Sequence, residues 1–332
     1  MKARPGLLSL VFLLGIAGAP AQIPPPPPPS PEDTAPPIRV EVDLVNIVFS
    51  VTDRRNRHVV GLGQADFAVY EDGVRQEIKH FASESNLPLR IGLVVDMSNS
   101  VRPRFQFEQE AAIDFLHTIL RPKTDRAFLI AFDTTPVLTQ DFTDDPQAMA
   151  DAIRGLRAGG GTALYDAIWL AAKKLGESSA SNTRKMIILL SDGDNTTGVV
   201  TSREALEMAL RHEVTIFTVS TRAPSIKYSG KSTQLQNPCE VLGERGDKVL
   251  QEFAEATGGT PYCPFDTIDV GRSFEKIVNE LRSQYTLAYT PSNRLRDGRF
   301  RYITIETRRD GARVHHRPGY YAQPTETTGG TH

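Results

Sequence analysis

Apolar and polar positions follow different rhythms in different parts of the chain. Val40, Val42, Val45, Ile47, Phe49 and Val51 include a near-alternating set, which predicts half-buried strands. Asp53-Arg54-Arg55-Asn56 and Glu71-Asp72-Gly73 supply turns between the short pieces. The same rhythm returns near the other end: residues 285–289 alternate, Arg296-Asp297-Gly298 turns, residues 300–307 alternate again, and Arg309-Asp310-Gly311 turns once more. Between them, short and strongly apolar runs are spaced by amphipathic stretches. The runs predict strands over 91–95, 127–132, 137–140, 186–190, 214–220 and 260–264. The stretches predict helices over 105–120, 146–157, 164–176, 202–212, 248–257 and 270–283.

A run such as Met186-Ile187-Ile188-Leu189-Leu190 has no polar side, so its strand must be covered on both faces. The middle of the chain is therefore expected to be an open α/β fold, a mostly parallel sheet with helices on both faces. Neither flanking β segment can bury a sheet face alone. Residues 38–86 and 285–322 are expected to form one small β-sandwich-like domain, with 87–284 inserted into it. Residues 323–332 are polar, rich in Gly and Thr, and read as a disordered tail.

The first residues carry a different signal. Lys2 and Arg4 precede an apolar run from Leu7 to Ile16, followed by small residues and Ala19-Pro20-Ala21 before Gln22. This is the layout of a cleavable signal peptide over 1–21, so export to the periplasm or outside the cell is expected. Retention as an anchor is the other reading of that segment, and membrane contact is expected only then. Residues 22–37 are dominated by proline and read as a semi-rigid linker. The formal net charge of −2 offers no electrostatic case for nucleic acid. Two cysteines occur, Cys239 and Cys263; in an exported chain they are expected to form a disulfide, the alternative being two buried thiols.

In an open α/β sheet, ligands sit beyond the carboxyl ends of the strands. After the strand ending at Val95 comes Asp96-Met97-Ser98-Asn99-Ser100. Gly159-Gly160-Gly161-Thr162 precedes the third helix, and Ser191-Asp192-Gly193-Asp194 follows the most apolar strand. Each loop alone also reads as a turn or a helix cap. Together they bring the carboxylates of Asp96 and Asp192 and the hydroxyls of Ser98, Ser100 and Thr162 to one end of one sheet. Oxygen donors of this kind suit a hard cation, Mg²⁺ foremost, with Mn²⁺ or Ca²⁺ as alternatives; no His or Cys is present to select zinc. Asp133 and Asp194 are placed either to support these loops or to make turns, and Asp166 to cap or orient its helix.

These residues resemble the metal-ion-dependent adhesion site (MIDAS) of von Willebrand factor type A (VWA) domains. Asp96, Ser98 and Ser100 stand for its Asp-x-Ser-x-Ser loop, Thr162 for its second-loop threonine and Asp192 for its third-loop aspartate. The likeness spans roughly residues 88–283, and the flanking pieces resemble a bacterial group of exported VWA-related proteins. It implies that Ser98 and Ser100 bind the ion directly, Thr162 directly or through water, and Asp96 and Asp192 largely through water. It implies a non-catalytic adhesion module in which the ion accepts a carboxylate from a protein partner, and a last helix whose shift reports occupancy. A structural assembly subunit with a loop-stabilising ion is the alternative. A metal-assisted hydrolase, with Asp194 as its base, is a further one.

Other motifs point elsewhere. Gly230-Lys231-Ser232 lacks the preceding glycine of a phosphate loop, Ser225 standing in its place, so no nucleotide is expected. Arg245-Gly246-Asp247 sits at a predicted helix start, where an aspartate is favoured by capping. His315 and His316 are adjacent on a predicted strand and face opposite ways.

Overall fold

The structure, a computed structural model, describes residues 44–83, 87–178, 183–222, 245–264 and 267–322. The apolar N-terminal segment, the proline linker, Gly230-Lys231-Ser232, Cys239 and the C-terminal tail lie outside the described residues. Among those described, no helix is long and apolar enough to cross a membrane.

The first segment contributes β1 (Val45–Thr52), β2 (Phe67–Glu71), β3 (Val74–Gln76) and β4 (Ile78–Ser83). The central part runs β5 (Leu89–Asp96), α1 (Phe105–Ile119), β6 (Arg126–Phe132), β7 (Pro136–Thr143), α2 (Pro146–Gly155), α3 (Leu164–Glu177), β8 (Arg184–Ser191), α4 (Ser202–Arg211), β9 (Thr215–Ser220), α5 (Arg245–Thr257), β10 (Pro261–Tyr262) and α6 (Thr267–Arg282). The chain ends with β11 (Tyr285–Tyr289), β12 (Phe300–Thr307), β13 (Arg313–His316) and β14 (Gly319–Tyr321).

The central sheet has the order β10-β9-β8-β5-β6-β7, parallel except for the antiparallel edge strand β7. Its apolar runs feed two cores by alternation. Ile91, Leu93, Val95, Ile188 and Leu190 pack against α1, α2 and α6. Val94, Ile130, Ile187, Leu189 and Ile216 pack against α3, α4 and α5. Local chemistry fixes the helix starts: Asp145 accepts from the Gln147 N–H ahead of α2. At α4, Thr201 and Glu204 exchange hydrogen bonds as a capping box. From β5 the chain moves one way to β6 and β7, and later the other way through β8 to β9. The sense of winding therefore reverses between β5 and β8, and a crevice is expected there.

The two outer segments pair with each other. One sheet has the order β13-β1-β11-β4 and the second β14-β12-β2-β3, all antiparallel. In the core between them Phe49 meets Phe67 edge to face at a centroid separation of 5.0 Å and stacks on Tyr285 at 5.4 Å. A buried polar knot sits beside it. Glu71 accepts from the hydroxyls of Tyr289 (2.7 Å) and Tyr320 (2.9 Å) and faces the Arg301 guanidinium at 3.6 Å. Ser83, the last residue of β4, pairs with Tyr285, the first of β11, so the chain leaves this β layer and re-enters it on neighbouring strands.

Candidate metal centre

Three loops meet where β5 and β8 end, and each is fastened to the next. In the first, Asp96 accepts from the Ser98 N–H (2.8 Å) with one carboxylate oxygen and from the Ser191 hydroxyl (2.7 Å) with the other. In the third, Asp192 accepts from the Asp194 N–H at 3.1 Å. An aspartate receiving the N–H two residues on closes a tight turn, so both carboxylates shape their own loops. Loop one joins loop two through Gly159 N–H to Met97 C=O (2.6 Å) and the Asn99 amide to Gly160 C=O (3.1 Å). Loop two joins loop three through Thr162, whose N–H donates to Thr196 Oγ1 (2.9 Å) and whose carbonyl accepts from the N–H groups of Thr196 and Thr197. Asp166, on α3, takes the N–H groups of Val199 and Val200 and so pins the far end of the third loop.

Asp96, Ser98, Thr162 and Asp192 are all buried, and the Ser98 and Ser100 hydroxyl oxygens lie 2.9 Å apart. The two hydroxyls are hydrogen-bonded to each other, and their spacing is also close to what a cation would ask of them: two neighbouring oxygens on an octahedral ion with Mg–O bonds of about 2.1 Å are separated by about 3.0 Å. The donor set is hard oxygen throughout. Among the described residues no cluster of three or more His, Cys, Asp or Glu forms a metal site, so a cation here would rely on hydroxyls for part of its shell.

Residues 91–195, which carry all five of these side chains, match the family model of the von Willebrand factor type A domain. The chain carries a domain of that family. None of the curated proteins matches the chain. Similar solved structures include a von Willebrand factor type A protein from Catenulispora acidiphila, at 13% identity and a TM-score of 0.47, over 87% of this chain and 76% of that one. An aerotolerance-related membrane protein from Bacteroides fragilis is similar at 16% identity and a TM-score of 0.44, over 57% of this chain and 98% of that one. Proximal thread matrix protein 1 from the mussel byssus, solved with a zinc-occupied MIDAS motif, is similar at 16% identity and a TM-score of 0.47, over 64% of this chain and 50% of that one.

The electrostatics of the type A domain's loops follow from burial. Burial pushes the Asp96 carboxyl up to about 6; the neighbouring Asp192 charge acts in the same direction, while hydrogen bonds from Ser191 and Ser98 oppose it. A cation held by these loops would need Asp96 ionised, whereas without one the carboxyl is protonated below pH about 6. Loading would then displace that proton, and affinity would fall by about tenfold per pH unit below that point. Mn²⁺ titrations between pH 5 and 7.5 check this; a flat profile would count against a part for the Asp96 carboxylate in holding the ion.

The acids expected near the loops have other engagements. Asp194 pairs with Arg222 at 3.0 Å, and Arg222 also donates to the Asp192 carbonyl. Asp133 accepts from the Thr135 N–H at 3.3 Å and lies against Gly160, where an added Cβ would come within 2.9 Å of its carboxylate. In Arg245-Gly246-Asp247 the aspartate is fully buried and accepts from the Ser220 hydroxyl, so the tripeptide is not displayed. His315 meets Thr52 Oγ1 on one side, while His316 receives the Ile305 N–H on the other. Cys263 is buried, and Cys239, its expected partner, lies outside the described residues.

Sequence reading passed over Ser191, whose hydroxyl donates to Asp96; its adjacency to Asp192 was the available signal. It also passed over Glu108, which lies outside the three loops. It sits in the first turn of α1 on the stripe formed by Phe105, Ala111, Ala112, Phe115 and Leu116, and it is 1% exposed. An acid at a core phase of a helix was the signal.

Proposed function

We propose that the chain is an exported, non-catalytic protein-binding module whose type A domain holds one divalent cation, Mg²⁺ foremost, through Asp96, Ser98, Ser100, Thr162 and Asp192. The observation that carries the reading is the pair of serine hydroxyls at ligand spacing, held between two buried aspartates by three mutually hydrogen-bonded loops. Ser98 and Ser100 would bind the ion directly and Thr162 directly or through water. Asp96, with both carboxylate oxygens already hydrogen-bonded, would act through water. The bound ion supplies a Lewis-acidic position that a partner's carboxylate completes. A base for hydrolysis is not at hand in Asp194, which is committed to Arg222. The same reading takes residues 1–21 as the export signal and Cys239–Cys263 as a disulfide suited to an oxidising compartment.

Calorimetric titration of metal-stripped protein with Mg²⁺ and Mn²⁺ tests the site. Saturable one-ion binding is expected for the wild type, with affinity reduced by about a hundredfold or more in Asp96→Ala and Asp192→Ala. Capture of partners from the native envelope or secretome, read by mass spectrometry, tests the role. Partners should be lost with EDTA and in Asp96→Ala. Capture indifferent to both would leave an ion that only ties the loops together.

A further inference from the structure

The outer face of the sheet β13-β1-β11-β4 meets the far end of the central strands, away from the three loops. Ile47 and Phe49 of β1 and Tyr285 and Leu287 of β11 belong to the core between the two β sheets. Asn46, Val48 and Thr286 therefore turn to the other face, with Thr286 directly opposite Val48. There they and the starts of β8 and β9 line a cavity of about 310 Å³. Its walls are mixed: Val48, Met186, Phe217 and Leu281 are apolar, whereas Arg184, Lys185 and Arg317 bring positive charge. The acid in the lining, Glu213, is half exposed and already paired with Arg317 at 2.7 Å. Arg184, 6% exposed, donates to the Leu281 carbonyl at 3.2 Å, and among the described residues neither it nor Lys185 forms an ion pair. Burial lowers the pKa of both groups, so each would gain from an anion beside it.

Three lining residues carry buried atoms without a hydrogen bond: Gln284 Oε1, Thr286 Oγ1 and Arg317 Nε. Gln284 and Arg317 are only 3% and 7% exposed. Buried polar atoms are nearly always partnered, so three orphans around one cavity point to a common partner. The Arg317 Nε–H and the Thr286 hydroxyl can donate, while the Gln284 oxygen asks for a donor in return. We propose that this cavity binds a small organic carboxylate with a hydroxyl or amino group beside the carboxylate and an apolar body. The carboxylate accepts from Arg317 and Thr286, with Arg184 and Lys185 supplying further positive charge. The neighbouring hydroxyl or amino group donates to Gln284, and the body lies against Met186, Phe217 and Leu281. Apolar walls with a few convergent polar groups are the usual make-up of a small-molecule site. The site is separate from the loops: β8 begins at Arg184 and ends at Ser191, which sets the two about 23 Å apart along the strand.

The test titrates the full-length protein calorimetrically with mandelate, phenylglycine, phenylacetate and mandelamide. EDTA is present throughout, so that no carboxylate can bind through an ion at the loops. Mandelate and phenylglycine carry the carboxylate, the neighbouring donor and the apolar body; phenylacetate lacks the donor and mandelamide lacks the charge. Saturable binding of mandelate or phenylglycine is expected, about tenfold or more tighter than that of the two truncated probes. Thr286→Val and Gln284→Met each remove an orphaned group with little change of shape. Both should weaken binding by about tenfold and leave the ligand-free melting temperature unchanged or raised. Uptake of neither complete probe would overturn the proposal and leave a cavity that holds only water. Mandelamide binding as tightly as mandelate would overturn it too, and so would an affinity unchanged in both variants, which would put the ligand elsewhere. A loss of affinity that comes with a lower ligand-free melting temperature in both variants would also overturn it, because that outcome describes packing residues.

Discussion

Gly193→Ala should lower the stability of the protein by about 3 kcal/mol, well beyond what the same change does at another glycine of similar backbone geometry. Gly193 has φ of +77°, and a Cβ added there would lie 2.1 Å from the Gly246 carbonyl oxygen. The approach is mutual, since a Cβ on Gly246 would lie 2.1 Å from the Asp192 carbonyl oxygen. The third loop and the first turn of α5 therefore touch backbone to backbone, and no side-chain rotation relieves the collision. Gly73 is the control: its φ is +79°, but an added Cβ meets nothing within 4 Å. Gly73→Ala should cost about 1 kcal/mol from backbone conformation alone. Urea unfolding midpoints of the two variants measure the difference. Equal losses would mean that the loop moves aside freely, in which case Asp192 is not rigidly held by α5.

Arg301→Met should destabilise the β layer by about 3–5 kcal/mol, because it leaves Glu71 buried without its cation. Both side chains are almost completely inaccessible, at 3% and 2% exposure. Arg301 also donates to the Leu295 carbonyl at 2.7 Å, so the segment before β12 would loosen as well. Glu71→Gln in the same chain removes the stranded charge while keeping an oxygen for the hydroxyls of Tyr289 and Tyr320. The double variant should recover more than half of the loss. Thermal unfolding of the four proteins forms a double-mutant cycle, and strict additivity would contradict the coupling.

Much of the architecture is written in local pattern. Residues 186–190 have no polar side, and β8 lies inside the sheet between β5 and β9. The amphipathic stretches became helices because their apolar stripes match a period of 3.6, as in α3 with Leu164, Ala167, Ile168, Ala171 and Leu175 all buried. What local pattern cannot carry is pairing across distance. Val45 lies opposite Tyr289 and Thr52 opposite Arg313; that neither outer segment can bury a sheet face alone joins the two, but nothing in either fixes these partners. The antiparallel course of β7 was likewise hidden, because its turn, Asp133-Thr134-Thr135, has no glycine to announce a hairpin. In the candidate site the loop residues stood out through their spacing. Outside the loops, the buried Glu108 was ambiguous: it occupies a core phase of α1, but an acid in the first turn of a helix ordinarily serves the helix dipole from the surface. Its burial depends on which face of α1 meets the sheet. Arg222, which holds Asp194, comes from the end of the next strand and reaches across only once the sheet is assembled.

The pairing of Ser83 with Tyr285 has a mechanical consequence. Tension applied between Val45 and Tyr321 runs through the strands of the β layer and passes by the central domain, whose entry and exit are side by side. A stretched chain would therefore leave the three loops of the candidate site unstrained for as long as the β layer holds. A pull exerted on the loops by a tethered partner takes the other route. It is shared by two neighbouring strands, β4 and β11, and is resisted in shear by the ladder between β11 and β1, from Val45 opposite Tyr289 to Phe49 opposite Tyr285.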